Sequence, residues 1–152
     1  MRIFSEPAGP KIISVILVLV AFLLIDKCSK GDSPDKWDKK LTEVEAMYAQ
    51  LPLYHDFQKV SDGGSAKPTS VAVFKYYKSG GRYDDVKAFY SKELTAVGWR
   101  LSSEVGVKDW WRDFGGRKLK FENGPYTLVI DYRGDKEVDP GWNYAISALW
   151  RE

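Results

Sequence analysis

The segment that most restricts what this chain can become is the run from Ile12 to Ile25, IISVILVLVAFLLI, which carries no charge and is bounded by Lys11 on one side and by Asp26 and Lys27 on the other. As a helix it is about 21 Å long at ~1.5 Å per residue, short of the ~30 Å hydrocarbon core of a bilayer. A run of this size suits a buried core helix, the apolar region of a signal peptide or a short membrane span. The preceding residues, MRIFSEPAGPK, hold two Pro and a Gly and cannot cover a helix that is apolar all round, whereas lipid covers it on every side. Lys11 and Lys27 can snorkel, and Ile3 and Phe4 can rest at the interface, lengthening the effective span.

The sequence therefore predicts a transmembrane helix over 12–27, anchored through Ile12, Ile13, Val15, Ile16, Leu17, Val18, Leu19, Val20, Phe22, Leu23, Leu24 and Ile25, with residues 1–11 as an N-terminal tail. The run is followed by Asp26, Lys27, Cys28, Ser29 and Lys30, which offer no small-x-small cleavage site, so the segment reads as an uncleaved signal anchor. Cys28 lacks the small residues that precede a lipidated cysteine and is expected to be a lone juxtamembrane thiol. Counted by Lys and Arg alone, the positive-inside rule keeps the C-terminal flank in the cytoplasm. A short tail ahead of a first apolar segment favours export of the domain beyond it, and an extracytoplasmic domain is the orientation expected here.

A chain of 152 residues in all leaves room for one core besides the anchor. The formal charge of +2 comes from 23 basic and 21 acidic residues spread along the chain, so the basic footprint of a nucleic-acid binder is lacking. One Cys excludes an intrachain disulfide, and one Cys with one His cannot complete a four-ligand Cys/His zinc site. The span contains no His to hold a tetrapyrrole, and neither a cofactor nor a metal is expected.

Residues 28–50 read as a polar linker, broken by Gly31 and Pro34, followed by a short juxtamembrane helix over about 36–50, since Trp37, Leu41, Val44, Tyr48 and Leu51 recur on one helical face. The globular domain is assigned to 51–152. TSVAVFKYYK, Thr69 to Lys78, has the β-branched and aromatic make-up of a strand. After SGGR, a helix from Tyr83 carries Val86, Phe89, Tyr90, Leu94 and Val97 on one face, with Gly98 suited to the left-handed residue that ends it. Strands are expected over Trp99–Ser103, Arg117–Glu122, Tyr126–Arg133 and Trp142–Trp150, with a turn at Asn123-Gly124 and a further short strand near Phe57–Val60. The fold class is α+β: an antiparallel meander of four to five strands with one helix packed on a face, preceded by the membrane and juxtamembrane helices.

At PLY (Leu53 flanked by Pro52 and Tyr54), and at YDDVKAFYSKELTAVGW from Tyr83 to Trp99, the chain resembles uncharacterised small bacterial domains tethered to a membrane or anchored by lipid. In those, Pro-x-Tyr precedes a strand and a helix of the type Val-x-x-Phe-Tyr-x-x-x-Leu-x-x-x-Gly-Trp precedes a meander. The shared positions are packing residues, so the resemblance implies a fold and a bacterial cytoplasmic-membrane location, and no reaction.

Candidate sites are few. His55 stands beside Asp56, but neighbours on an extended chain point in opposite directions and do not make a dyad. Asp135, Glu137 and Asp139 lack the spacing of a calcium loop and include Lys136. Gly63-Gly64 and Gly80-Gly81 lack phosphate-loop spacing and read as turns. Of the six Trp, Trp99, Trp142 and Trp150 are expected in the core. Trp110 and Trp111 cannot both face one side of a regular strand, and with Lys108, Arg112 and Phe114 they form an aromatic-basic cluster of the kind that anchors a protein interface or sits at headgroup level, with ordinary packing and stacking on a sugar as the alternatives. The expectation is a single-pass, non-enzymatic interaction protein, an accessory or structural subunit of a larger membrane complex. The alternative is a membrane-tethered domain that senses or binds a cell-envelope component.

Overall fold

The computed structural model describes residues 34–109, 112–134 and 141–151. The expected membrane helix and Cys28 lie outside them; among the described residues no helix is long and apolar enough to cross a membrane. From Pro34 onward the chain forms one compact α+β unit. It contains helices α1 (Pro34–Ala49) and α2 (Tyr83–Ala96) and strands β1 (Gln58–Lys67), β2 (Ser70–Lys78), β3 (Arg100–Asp109), β4 (Arg112–Asn123), β5 (Tyr126–Tyr132) and β6 (Tyr144–Arg151).

The six strands make one antiparallel sheet in the order β1-β2-β6-β5-β4-β3. Four of them, β3 to β6, are the expected meander. The sheet is larger than four to five strands because β6 turns back against β2, with Val71 opposite Trp150 and Tyr77 opposite Tyr144, and because β1 is ten residues long. Pairing every strand antiparallel to its neighbour leaves β2 and β3 parallel, and α2 is the crossover that carries the chain between them.

The register sorts the side chains. Val71, Val73 and Tyr77 of β2, Tyr144, Ile146 and Ala148 of β6, Leu128, Ile130 and Tyr132 of β5, and Leu119 and Phe121 of β4 are all buried on one face. Both helices pack there. α1 supplies Trp37, Val44 and Tyr48 to the core, and α2 supplies Val86, Tyr90 and Leu94. Tyr83 stacks on Tyr132 at 5.5 Å, and Phe57 stacks on Tyr77 at 5.0 Å. Full burial of a side chain such as Leu94 or Phe121 contributes about 2 kcal/mol.

α1 thus belongs to the globular unit, whereas the sequence reading set it apart as a juxtamembrane helix in 28–50. An apolar stripe of five residues needs a partner surface, and the inner face of β1 and β2 provides it. Two helices therefore lie on the sheet, against the one expected. Val97, expected on the inner face of α2, caps that helix outside helical geometry and is 62% exposed. Trp142, expected on the core side, stacks instead on Tyr76 of the opposite face at 4.7 Å. Its chain is diverted because the Asn143 amide donates to the Tyr77 carbonyl, one residue ahead of β6.

Candidate functional site

With both helices on one side, the other face of the sheet is left without a helix among the described residues. Ala72, Phe74 and Tyr76 of β2, Ala145, Ser147 and Leu149 of β6, and Thr127, Val129 and Asp131 of β5 alternate with the core residues and point to it. Phe74, Tyr76, Val129, Leu149 and Trp142 are each partly exposed. Phe74 meets Tyr76 edge-on at 5.8 Å, Tyr76 meets Trp142, and the Arg133 guanidinium sits 4.6 Å from the Trp142 ring. These four side chains form an aromatic row that ends in a cation.

Beside this apolar strip runs a charged one. Lys118 pairs with Asp131 across β4 and β5 at 3.0 Å, and Glu122 accepts from Lys120 at 2.7 Å and from Arg100 at 3.0 Å. The Lys120 ammonium holds the Glu122 carboxyl below its ordinary range. Exposed pairs of this kind add little stability, and their effect is to keep that half of the face polar and nearly neutral.

Of the predicted interface residues, Lys108 lies on β3 and Arg112 and Phe114 on β4, the two strands of a hairpin. Its register continues past Gly106↔Arg117 to Asp109↔Arg112, whereas β5 pairs with β4 only as far as Arg117↔Tyr132, so the hairpin extends beyond the body of the sheet. Lys108 is exposed, Phe114 is partly exposed, and Arg112 opens β4. Trp110 and Trp111 fall between Asp109 and Arg112, outside the described residues. Gly134 comes back against the base of the hairpin: a Cβ there would meet the Phe114 carbonyl carbon at 2.7 Å and the Gly116 nitrogen at 2.9 Å.

Polar groups gather at one further place, the β2–α2 loop. The Ser79 hydroxyl donates to Asp56 at 2.9 Å and accepts from the Gly81 amide, and the Gly80 amide also donates to Asp56. The side-chain amide of Asn143 accepts from the Ser79 amide and donates to the Ser79 carbonyl, and the Tyr144 hydroxyl donates to the Gly81 carbonyl. The Ser79 hydroxyl and then the Gly80 amide hold the Asp56 carboxyl below its ordinary range. This Asp-Ser pair serves the loop, since both capacities of the hydroxyl are spent on positioning backbone. His55 is exposed with its ring 4.4 Å from Tyr54, and no hydrogen bond joins it to Asp56. Gly80-Gly81 lies in this loop as expected, but Gly63-Gly64 lies inside β1 and is no turn. Among the described residues no group of three or more His, Cys, Asp or Glu side chains could hold a metal ion; Asp135, Glu137 and Asp139 lie outside them.

A cleft of about 360 Å³ opens on the helical side, where both helices end. Met47 and Leu51 line it from α1, Val97 and Trp99 from the end of α2, and Asn123 and Tyr126 from the β4–β5 hairpin. The sequence pointed to none of these as a site, because the cleft joins three segments far apart along the chain.

Comparison with family profiles, with characterised proteins and with solved structures finds no match to this chain.

Proposed function

We propose that the protein is a single-pass, membrane-anchored interaction protein of a bacterial cytoplasmic membrane, an accessory or structural subunit that uses its α+β domain to dock a partner protein. The observation that carries this reading is the sheet face opposite the helices, on which Phe74, Tyr76, Val129, Leu149 and Trp142 remain partly exposed. Its apolar strip is three strands wide, about 14 Å at ~4.8 Å per strand, and accommodates one amphipathic helix of 10–12 Å diameter. An amphipathic helix of the partner is the proposed occupant. The charged strip on β4 borders it as a polar rim borders an interface core.

The run Ile12–Ile25 supports the anchor, and the charged residues Asp26, Lys27 and Lys30 just after it, which offer no cleavage site, support its retention. The extended β3–β4 hairpin, with Lys108, Arg112 and Phe114, supplies a second contact to the same partner in this reading, and Trp110 and Trp111, adjacent in sequence, are proposed to join it. Neither a nucleic acid nor a cofactor enters the proposal.

Photo-crosslinking from position 129 in membranes, with position 87 on the helical side as control, tests it. One stoichiometric protein adduct is expected from 129, and a probe at 147, its cross-strand neighbour, should give the same adduct and lose it when Val129→Glu is introduced. Equal labelling from both faces, or a monomeric particle in mild detergent, refutes it. The second reading, a tethered domain that binds an envelope component, is favoured by the cleft at the helix ends.

A further inference from the structure

We infer that the cleft at the ends of α1 and α2 is a binding site for a compact organic cation, an alkylammonium group. This deepens the ligand-binding reading and is independent of partner docking, because the cleft lies on the helical side of the sheet.

Its size suits a small group: about 360 Å³ is near the lower end of ligand pockets. Its walls suit methyl and methylene carbons, through Met47, Leu51 and Val97, and the lining includes two aromatic residues of the kind that hold ammonium groups, Tyr126, partly exposed, and Trp99, which is buried. Val97 stands at the rim with the greatest exposure of any large apolar residue described, a surface that an occupant would cover.

The field decides the sign of the charge. Both helices end at this cleft, and each C-terminus carries about half a negative charge. The terminal carbonyls are bonded to backbone amides: Leu94 accepts from Val97 and Trp99, Thr95 from Gly98, Met47 from Gln50 and Tyr48 from Leu51. Those bonds leave the dipoles in place, and the usual answer, a basic residue in the last turn, is missing from both helices. No lining residue is charged. The Tyr126 hydroxyl donates to Glu43, which enriches the ring in electrons and strengthens its negative face. An anion would meet two negative helix ends. A sugar would find no carboxylate among the lining side chains to accept from its hydroxyls.

The test is a titration of the full chain in maltoside micelles, which contain no ammonium group, with tetramethylammonium chloride, followed by NMR of the Trp99 indole N–H and the Tyr126 ring. A saturable shift is expected, absent with sodium chloride at equal ionic strength. Val97→Lys places a competing ammonium at an exposed rim position without touching the core and should abolish it. Tyr126→Leu should weaken it about fivefold, the equivalent of one cation–π contact. Lipid added to the same micelles separates the sources: displacement of tetramethylammonium by phosphatidylcholine and not by phosphatidylglycerol assigns the cation to a lipid headgroup, and no displacement beside a saturable titration assigns it to a free amine. A shift that stays linear with concentration, or that persists unchanged in Val97→Lys, overturns the proposal. Neither result bears on crosslinking from position 129.

Discussion

The phenyl ring of Phe74 occupies the space that a side chain on Gly63 would take: the two are partners across β1 and β2, and a Cβ on Gly63 would lie 2.6 Å from the ring. Strand glycine weakens a ladder, and an aromatic laid over it restores the lost contact. The same ring begins the aromatic row of the open face, so the residue that covers a glycine of the edge strand β1 also belongs to the proposed docking surface. Gly63→Ala should displace the ring and lower stability by about 1 kcal/mol in urea unfolding. Because the cause is one contact, adding Phe74→Ala should cancel most of the glycine's effect in a double-mutant cycle.

Gly134 allows no comparable relief. Its φ is +96°, and a Cβ would be pressed against the backbone of Phe114 and Gly116, which cannot rotate away. Gly134→Ala should cost about 3 kcal/mol or more, visible as a fall in thermal midpoint. Hydrogen exchange should quicken in the β3–β4 hairpin before the rest of the sheet, because the hairpin's base is what the glycine packs against.

Acid should release the β2–α2 loop. The Asp56 carboxyl is held below its ordinary range by the Ser79 hydroxyl and the Gly80 amide. A carboxyl lowered by folding adds stability that is present above its unfolded value of about 3.9 and is lost as pH falls through the folded value. Asp56→Asn should therefore unfold at lower urea than the wild type at pH 7. The two midpoints should converge as the pH drops below about 3.9.

At alkaline pH the informative group is Tyr126. The hydrogen bond it donates to Glu43, with a smaller effect of burial, raises its phenol to about 12. A raised phenol contributes stability that is complete below the unfolded value of about 10 and is lost as pH rises through the folded one. Ultraviolet titration of Glu43→Ala should show one tyrosine moving from about 12 toward 10, whereas Tyr48 and Tyr90, held up by burial, should stay protonated.

Much of the fold was legible because periodicity survives where an element has one apolar side. The Trp37, Val44, Tyr48 stripe gave α1, Val86, Tyr90 and Leu94 gave α2, and Leu119 with Phe121 gave β4. β1 was nearly invisible, since QKVSDGGSAK at a sheet edge buries almost nothing and owes its place to pairing with β2. In β2, both Val71-Val73-Tyr77 and Ala72-Phe74-Tyr76 are apolar, so alternation could not say which set would be covered. The candidate residues 108–114 were singled out from side-chain chemistry at adjacent positions. The open face and the cleft could not be, because long-range register alone brings their residues together.

The sixth strand in chain order is not at the rim of the sheet. β6 lies between β2 and β5, so the N-terminal hairpin and the meander have no ladder in common until Tyr144–Arg151 is inserted. A nascent chain in which only the first five strands have left the ribosome exposes unpaired backbone on both β2 and β5, a state prone to pairing with other chains. Deleting β6 should therefore yield two disconnected pieces and not a slightly frayed domain, and holdase chaperones should matter most in the interval before that strand emerges.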